Sequence, residues 1–154
     1  MKVFFSFLVA LAFFSCAKAP PPAPSAAPSH HEHHAPHAGT PVALGHEEYH
    51  LELVRDAASG KLTAYVLDGE MEEFIRIKAL AFDVEATVAG EKRPLQFQAV
   101  ANSATGETVG DTSCFEAQAD WLKVTASFDA TLATLKIKNT TFLKVAFNFP
   151  KGND

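Results

Sequence analysis

From residue 41 to residue 151, apolar and polar positions alternate with a period of two, and turn-forming residues interrupt the alternation at short intervals. Tyr49, Leu51 and Leu53 alternate with His50, Glu52 and Val54; the run closes at Asp56-Ala-Ala-Ser-Gly60, and residues 62–67 follow as the partner strand of a hairpin. Residues 74–77 and 81–88 read as a second strand group, with Phe82, Val84, Ala86 and Val88 on one face. Gly90-Glu-Lys-Arg-Pro94 turns the chain into residues 95–100. Residues 132–138, a turn at Asn139-Thr140 and residues 142–149 repeat the device at the C-terminus. Each hairpin has an apolar and a polar face, and two sheets packed face to face would bury the apolar ones. The pattern therefore predicts an all-β fold, an antiparallel, immunoglobulin-like β-sandwich of about seven strands. Residues 112–124 carry both a capping-box pattern at Ser113-Cys-Phe-Glu116 and strand-like alternation at Phe115, Ala117 and Ala119. The reading adopted is a strand followed by one helical turn over residues 120–124, with Trp121 as a core plug.

Residues 1–40 have no such alternation. Met1 and Lys2 precede an apolar run over residues 3–14, too short to span a bilayer and proportioned like a secretory signal peptide, here residues 1–15. Two processing sites compete. Ala17-Lys18-Ala19 has the form of ordinary signal cleavage but is followed by Pro20. Ser15-Cys16 resembles the lipobox of bacterial lipoproteins, with Phe13 at the usual Leu position, and would make Cys16 a lipid-acylated N-terminus. Each methylene buried in a bilayer contributes about 0.8 kcal/mol, so a multiply acylated Cys16 would hold the chain on a membrane. Residues 16–40 then form a Pro/Ala-rich and His-rich linker without large apolar residues, expected to be a disordered tether, and residues 41–151 form the domain. The implied address is the bacterial cell envelope, periplasm-facing, on the outer rather than the inner membrane.

Composition narrows the function classes. With 154 residues there is room for one domain and a tail. Thirteen Lys and Arg against 18 Asp and Glu give a formal charge of -5, which argues against a nucleic-acid partner. If Cys16 is acylated, Cys114 is left without a disulfide partner and reads as a small buried apolar residue.

The candidate chemistry is histidine. All seven (His30, His31, His33, His34, His37, His46 and His50) lie between residues 30 and 50. The first five sit on the tether. Free imidazole titrates near 6.5, so such a tract is mostly neutral at neutral pH and is a good ligand for Cu(II), Zn(II) and Ni(II). It would be a flexible capture device, or else a plain spacer. His46-Glu47-Glu48-Tyr49-His50 matches H-E-x-x-H, the zinc-peptidase pattern, which needs a helix to bring i and i+4 together. On a strand the two His would stand roughly 13–14 Å apart, too far to share an ion. Gly45 before the motif and the period-two run after it favour the strand, and the catalytic reading also lacks a third His, leaving Glu70, Glu72 or Glu73. On a strand, His46, Glu48, His50 and Glu52 share the polar face. There His50 with Glu52, or His46 with Glu48, could contribute to a metal site completed by another strand or by the His tail, the alternative, favoured for Glu48 and Glu52 taken alone, being a solvated sheet surface. No catalytic residue is assigned, and the expected role is not enzymatic.

Gly39-Thr-Pro-Val-Ala-Leu-Gly45, then Tyr49-His50-x-Glu52-Leu53-Val54-x-Asp56 and Ser59-Gly60-Lys61-Leu-Thr-Ala-Tyr-Val-Leu-Asp68, resemble the opening of a family of small bacterial lipoproteins and exported domains. Such domains also stand in front of the periplasmic adaptor subunits of heavy-metal efflux systems. The resemblance extends over Asp111-Thr-Ser-x-Phe115-Glu116 and the final Phe-x-Phe149. It implies an envelope location, a link to metal handling and a partner in a metal-efflux or other envelope system, but no reaction. A structural or interaction module whose sheet edges bind a partner is the rival expectation.

Overall fold

The structure, a computed structural model, describes residues 34–153. Its strands are β1 (Thr40–Leu44), β2 (Tyr49–Asp56), β3 (Lys61–Asp68), β4 (Ala81–Val88), β5 (Glu91–Ala99), β6 (Cys114–Gln118), β7 (Phe128–Ile137) and β8 (Thr140–Phe149), with a 3₁₀ turn at Asp120–Lys123. The all-β antiparallel class and the helical turn are those expected from the alternation. The strands form one eight-stranded sheet in the order β1-β2-β3-β6-β5-β4-β7-β8. Its two layers are therefore halves of a single sheet that curls until β1 and β8 approach each other. Apolar side chains from every strand meet in one core, with Leu51, Leu62, Phe97, Phe115 and Leu132 essentially inaccessible to water. Trp121 packs against this core from its rim, edge-on to Phe128 at 5.1 Å.

Closure depends on the C-terminal residues. Asn153 Oδ1 accepts from the Ala43 amide at 2.8 Å, and its Nδ2 donates to the Ala43 carbonyl at 3.1 Å. One side chain thus pairs both backbone groups of an edge residue that would otherwise need another strand. Gly152 makes this approach possible: a Cβ there would lie 2.4 Å from the Pro41 carbonyl oxygen, and its φ of +84° is one that side chains disfavour.

Three local features differ from the sequence reading. Residues 40–44 form a strand of their own, paired with β2 from Thr40↔Leu53 to Leu44↔Tyr49. Residues 74–77 make only isolated bridges, Leu67↔Phe74 and Ile77↔Thr112, because the Asp68 carboxylate accepts the amides of Glu72 and Glu73 and tightens the chain into a turn. On β7 and β8 the buried set changes parity at one level: Phe128, Ala130 and Leu132 give way to Leu135 and Ile137, opposite Phe142. Lys144, at φ +51°, marks this break on β8.

Candidate functional site

β2 alternates as expected, with Leu51 and Leu53 turned into the core. His50 and Glu52 point to the opposite face, yet both are fully buried. The expected solvated polar face is therefore corrected: residues 37–39 of the tether and the turn after β3 cover it. Ala38 donates to the Ala35 carbonyl at 3.0 Å, closing a turn with Pro36 at its second position, where the ring pre-sets φ. That turn lays His37 over the row Glu52↔Tyr65 of the β2–β3 ladder. The imidazole stacks on the Tyr65 ring at 4.0 Å and 14°, with Phe74 tilted against it at 5.7 Å.

Glu52 anchors the cover. One carboxylate oxygen accepts the amides of His37 at 2.7 Å and Gly39 at 2.9 Å, and the other meets His37 Nδ1 at 2.8 Å. A buried carboxylate is tolerated when its lone pairs are taken up this way. Gly39 is needed for the fit, since a Cβ would stand 2.7 Å from both Glu52 Cγ and the Leu53 carbonyl. An ionised carboxylate only accepts, so Nδ1 carries the hydrogen and, in neutral His37, the lone pair resides on Nε2. Carboxylate-to-imidazole contacts of this kind orient metal-ligating histidines in general. Glu52 itself has no oxygen turned to solvent and acts on an ion only through His37.

Of the other expected ligands, His34 is exposed and three residues before His37. His30, His31 and His33, with Cys16 and the leader, lie outside the described residues. His46 is exposed on the turn between β1 and β2, where Glu48 donates to Leu44 and Glu47 has a φ of +59°. It does not share the β2 face, which corrects the placement of His46 and Glu48 there. His50 lies inside β2, its Nδ1 3.3 Å from the Asp68 carbonyl. The H-E-x-x-H segment passes from turn to strand and has no helical face. Among the described residues no three His, Cys, Asp or Glu side chains converge to hold a metal ion.

Beside His37, a groove of about 530 Å³ runs between Tyr65, Phe74, Arg76, Asn102 and Cys114. Glu107 forms its polar end. Burial opposes ionisation of this carboxyl, but hydrogen bonds from Ser113 Oγ and N and from Thr105, with nearby Arg76, outweigh it and hold the group below its ordinary range. The Cys114 thiol is pushed up to about 11 by burial first and by Glu116 and Glu107 second. It is a poor nucleophile at neutral pH, but it is half-buried on the wall of the groove and not the fully buried residue expected. No protein-family model, curated protein or solved structure matches the chain. What the site can do rests on its own groups: one oriented imidazole, aromatic walls and two carboxylates, Glu52 and Glu107, each held by hydrogen bonds. No helix among the described residues is long and apolar enough to cross a membrane. The pairing of His37 with Glu52 went unread in the sequence; Pro36 and Gly39 bracketing His37 are the only local trace of it.

Proposed function

We propose that the chain is an exported, lipid-anchored envelope protein that captures divalent transition metal (copper, zinc or nickel) through residues 30–37, as an accessory to metal homeostasis or efflux. The observation that carries this reading is the contact of His37 with Glu52. It fixes the last histidine of the tract on a rigid sheet in the tautomer that offers Nε2, whereas a spacer needs no such anchor. His34, three residues upstream, and His30, His31 and His33 are the further imidazoles of the tract. The rival reading, partner capture on a sheet edge, is disfavoured by Asn153, which already occupies the backbone of β1 at Ala43. Calorimetric titration of the full chain with Cu(II), Zn(II) and Ni(II) tests the proposal against a variant with His30, His31, His33, His34 and His37 replaced by Ala. Binding is expected in the parent and lost in the variant. Equal binding by both overturns it.

A further inference from the structure

The alternation that buries Ile77 and Ile137 turns their neighbours outward, Arg76 and Lys78 around the first and Lys136 and Lys138 around the second. These four cations line one cavity of about 590 Å³, together with Asp111 and Asn139. Four positive groups face Asp111, and Glu107, 3.9 Å from Arg76, adds a second carboxylate, which leaves a local excess of two in a chain whose formal charge is -5. Both walls are fixed by backbone. Ile77 exchanges hydrogen bonds with Thr112 at 2.9 and 3.2 Å, and Lys136 and Ile137 pair with Thr141 and Thr140 at the end of the β7–β8 hairpin. Lys138 occupies a turn position at φ +51°, where Gly or Asn would be less strained, so the hairpin keeps a cation at a backbone cost.

The four cations are not equivalent. Arg76 is already engaged, donating to the Thr105 carbonyl at 2.5 Å with Asp111 3.9 Å away. Lys138 lies 5.8 Å from the centre of the Tyr49 ring. Lys78 and Lys136 are exposed and make no ion pair among the described residues. The guanidinium fork that would read a planar carboxylate is thus occupied. What is left is a set of ammonium groups on two walls, suited to a tetrahedral oxyanion that accepts hydrogen bonds from several directions. The volume falls in the roughly 300–1,000 Å³ range of small-molecule sites, so it accommodates a phosphoryl group together with the group that carries it.

We propose that this cavity binds a phosphate oxyanion, held by Lys78, Lys136 and Lys138, as part of a phosphorylated small molecule or a phospholipid headgroup. Neither His37 nor Glu52 lines it, so the site stands apart from the metal reading. The test uses the full chain with Cys16→Ser, which removes any acyl contribution, and the same chain carrying Lys78→Ala and Lys136→Ala. Titration with inorganic pyrophosphate, and flotation with phosphatidylglycerol against phosphatidylcholine vesicles, are the two arms. Pyrophosphate binding that weakens roughly tenfold in the double variant, the scale of removing two partly exposed charge contacts, supports the site with a soluble ligand. Flotation with phosphatidylglycerol alone, lost in the variant and competed by pyrophosphate, supports it with a headgroup. Binding of neither probe, or equal binding by parent and variant in both arms, overturns it.

Discussion

Replacing Glu52 by Gln removes one charge and one acceptor while keeping the shape of the side chain. The amide oxygen can still accept the His37 and Gly39 amides, now at 2.7 and 2.9 Å from a neutral group, but the amide nitrogen faces His37 Nδ1 with a donor where an acceptor stood. Hydrogen bonds to an ionised group contribute about 1.5–3 kcal/mol each and neutral ones about 0.5–1.5. Three weakened contacts, offset by the smaller cost of burying an amide than a carboxylate, leave a loss of about 2–3 kcal/mol in the docking of residues 37–39. Because only this cover is affected, the loss appears as local opening, not as unfolding of the sheet. Hydrogen exchange of the Gly39 amide reads it directly, with protection expected to fall roughly 30- to 150-fold while amides of β4 and β7 keep theirs. Gly39→Ala attacks the same contact from the tether, since its Cβ would collide with Glu52 Cγ and the Leu53 carbonyl. It is expected to expose the same amides even if the Gln variant folds poorly. Unchanged Gly39 and His37 exchange in both variants refutes the reasoning that Glu52 holds the tether down.

Two further outcomes follow from the titrating groups beside the groove. Cys114, pushed up to about 11 from an ordinary 9.0, carries about 100-fold less thiolate at pH 8 than an unperturbed thiol, so in a Cys16→Ser chain its alkylation by iodoacetamide is expected to be slower by that factor. Alkylation at the rate of a free peptide thiol refutes the burial argument. Glu107 is held below its ordinary 4.5, so its contribution to stability is complete above that pH and is lost as pH falls through the lower folded value. Acid titration of the parent, followed by exchange of the Ser113 amide, is expected to show that loss, and Glu107→Gln is expected to flatten it. A parent and variant with the same acid profile contradict the assignment.

The covering of β2 illustrates how far local pattern reaches. Leu51 and Leu53 declare an inward face by spacing alone, but a burial pattern of alternating residues says nothing about what lies on the other side. His50 and Glu52 read as a polar surface, because the group that covers them is His37, 15 residues before Glu52 and in a segment with no alternation of its own. H-E-x-x-H fails as a helical motif for a reason that was legible, Gly45 and the period-two run, but that residues 46–48 form a turn and not the start of the strand was not legible. The break in parity on β7 and β8 was not legible. A period of two is carried by each strand separately, whereas a switch of face on two strands at one level is a property of their pairing.

The amino-acid sequence by itself determined the all-β class, the hairpin at residues 56–60, the helical turn that carries Trp121 and the histidine tract, because each depends on side chains a few positions apart. Tertiary structure decided that the strands form one curled sheet and not two, since closure rests on Asn153 reaching Ala43 across 110 residues. It also decided which histidine is anchored and which cations share a cavity. Those outcomes depend on distant segments being brought together, and burial of a carboxylate is stable only where three donors from another part of the chain converge on it.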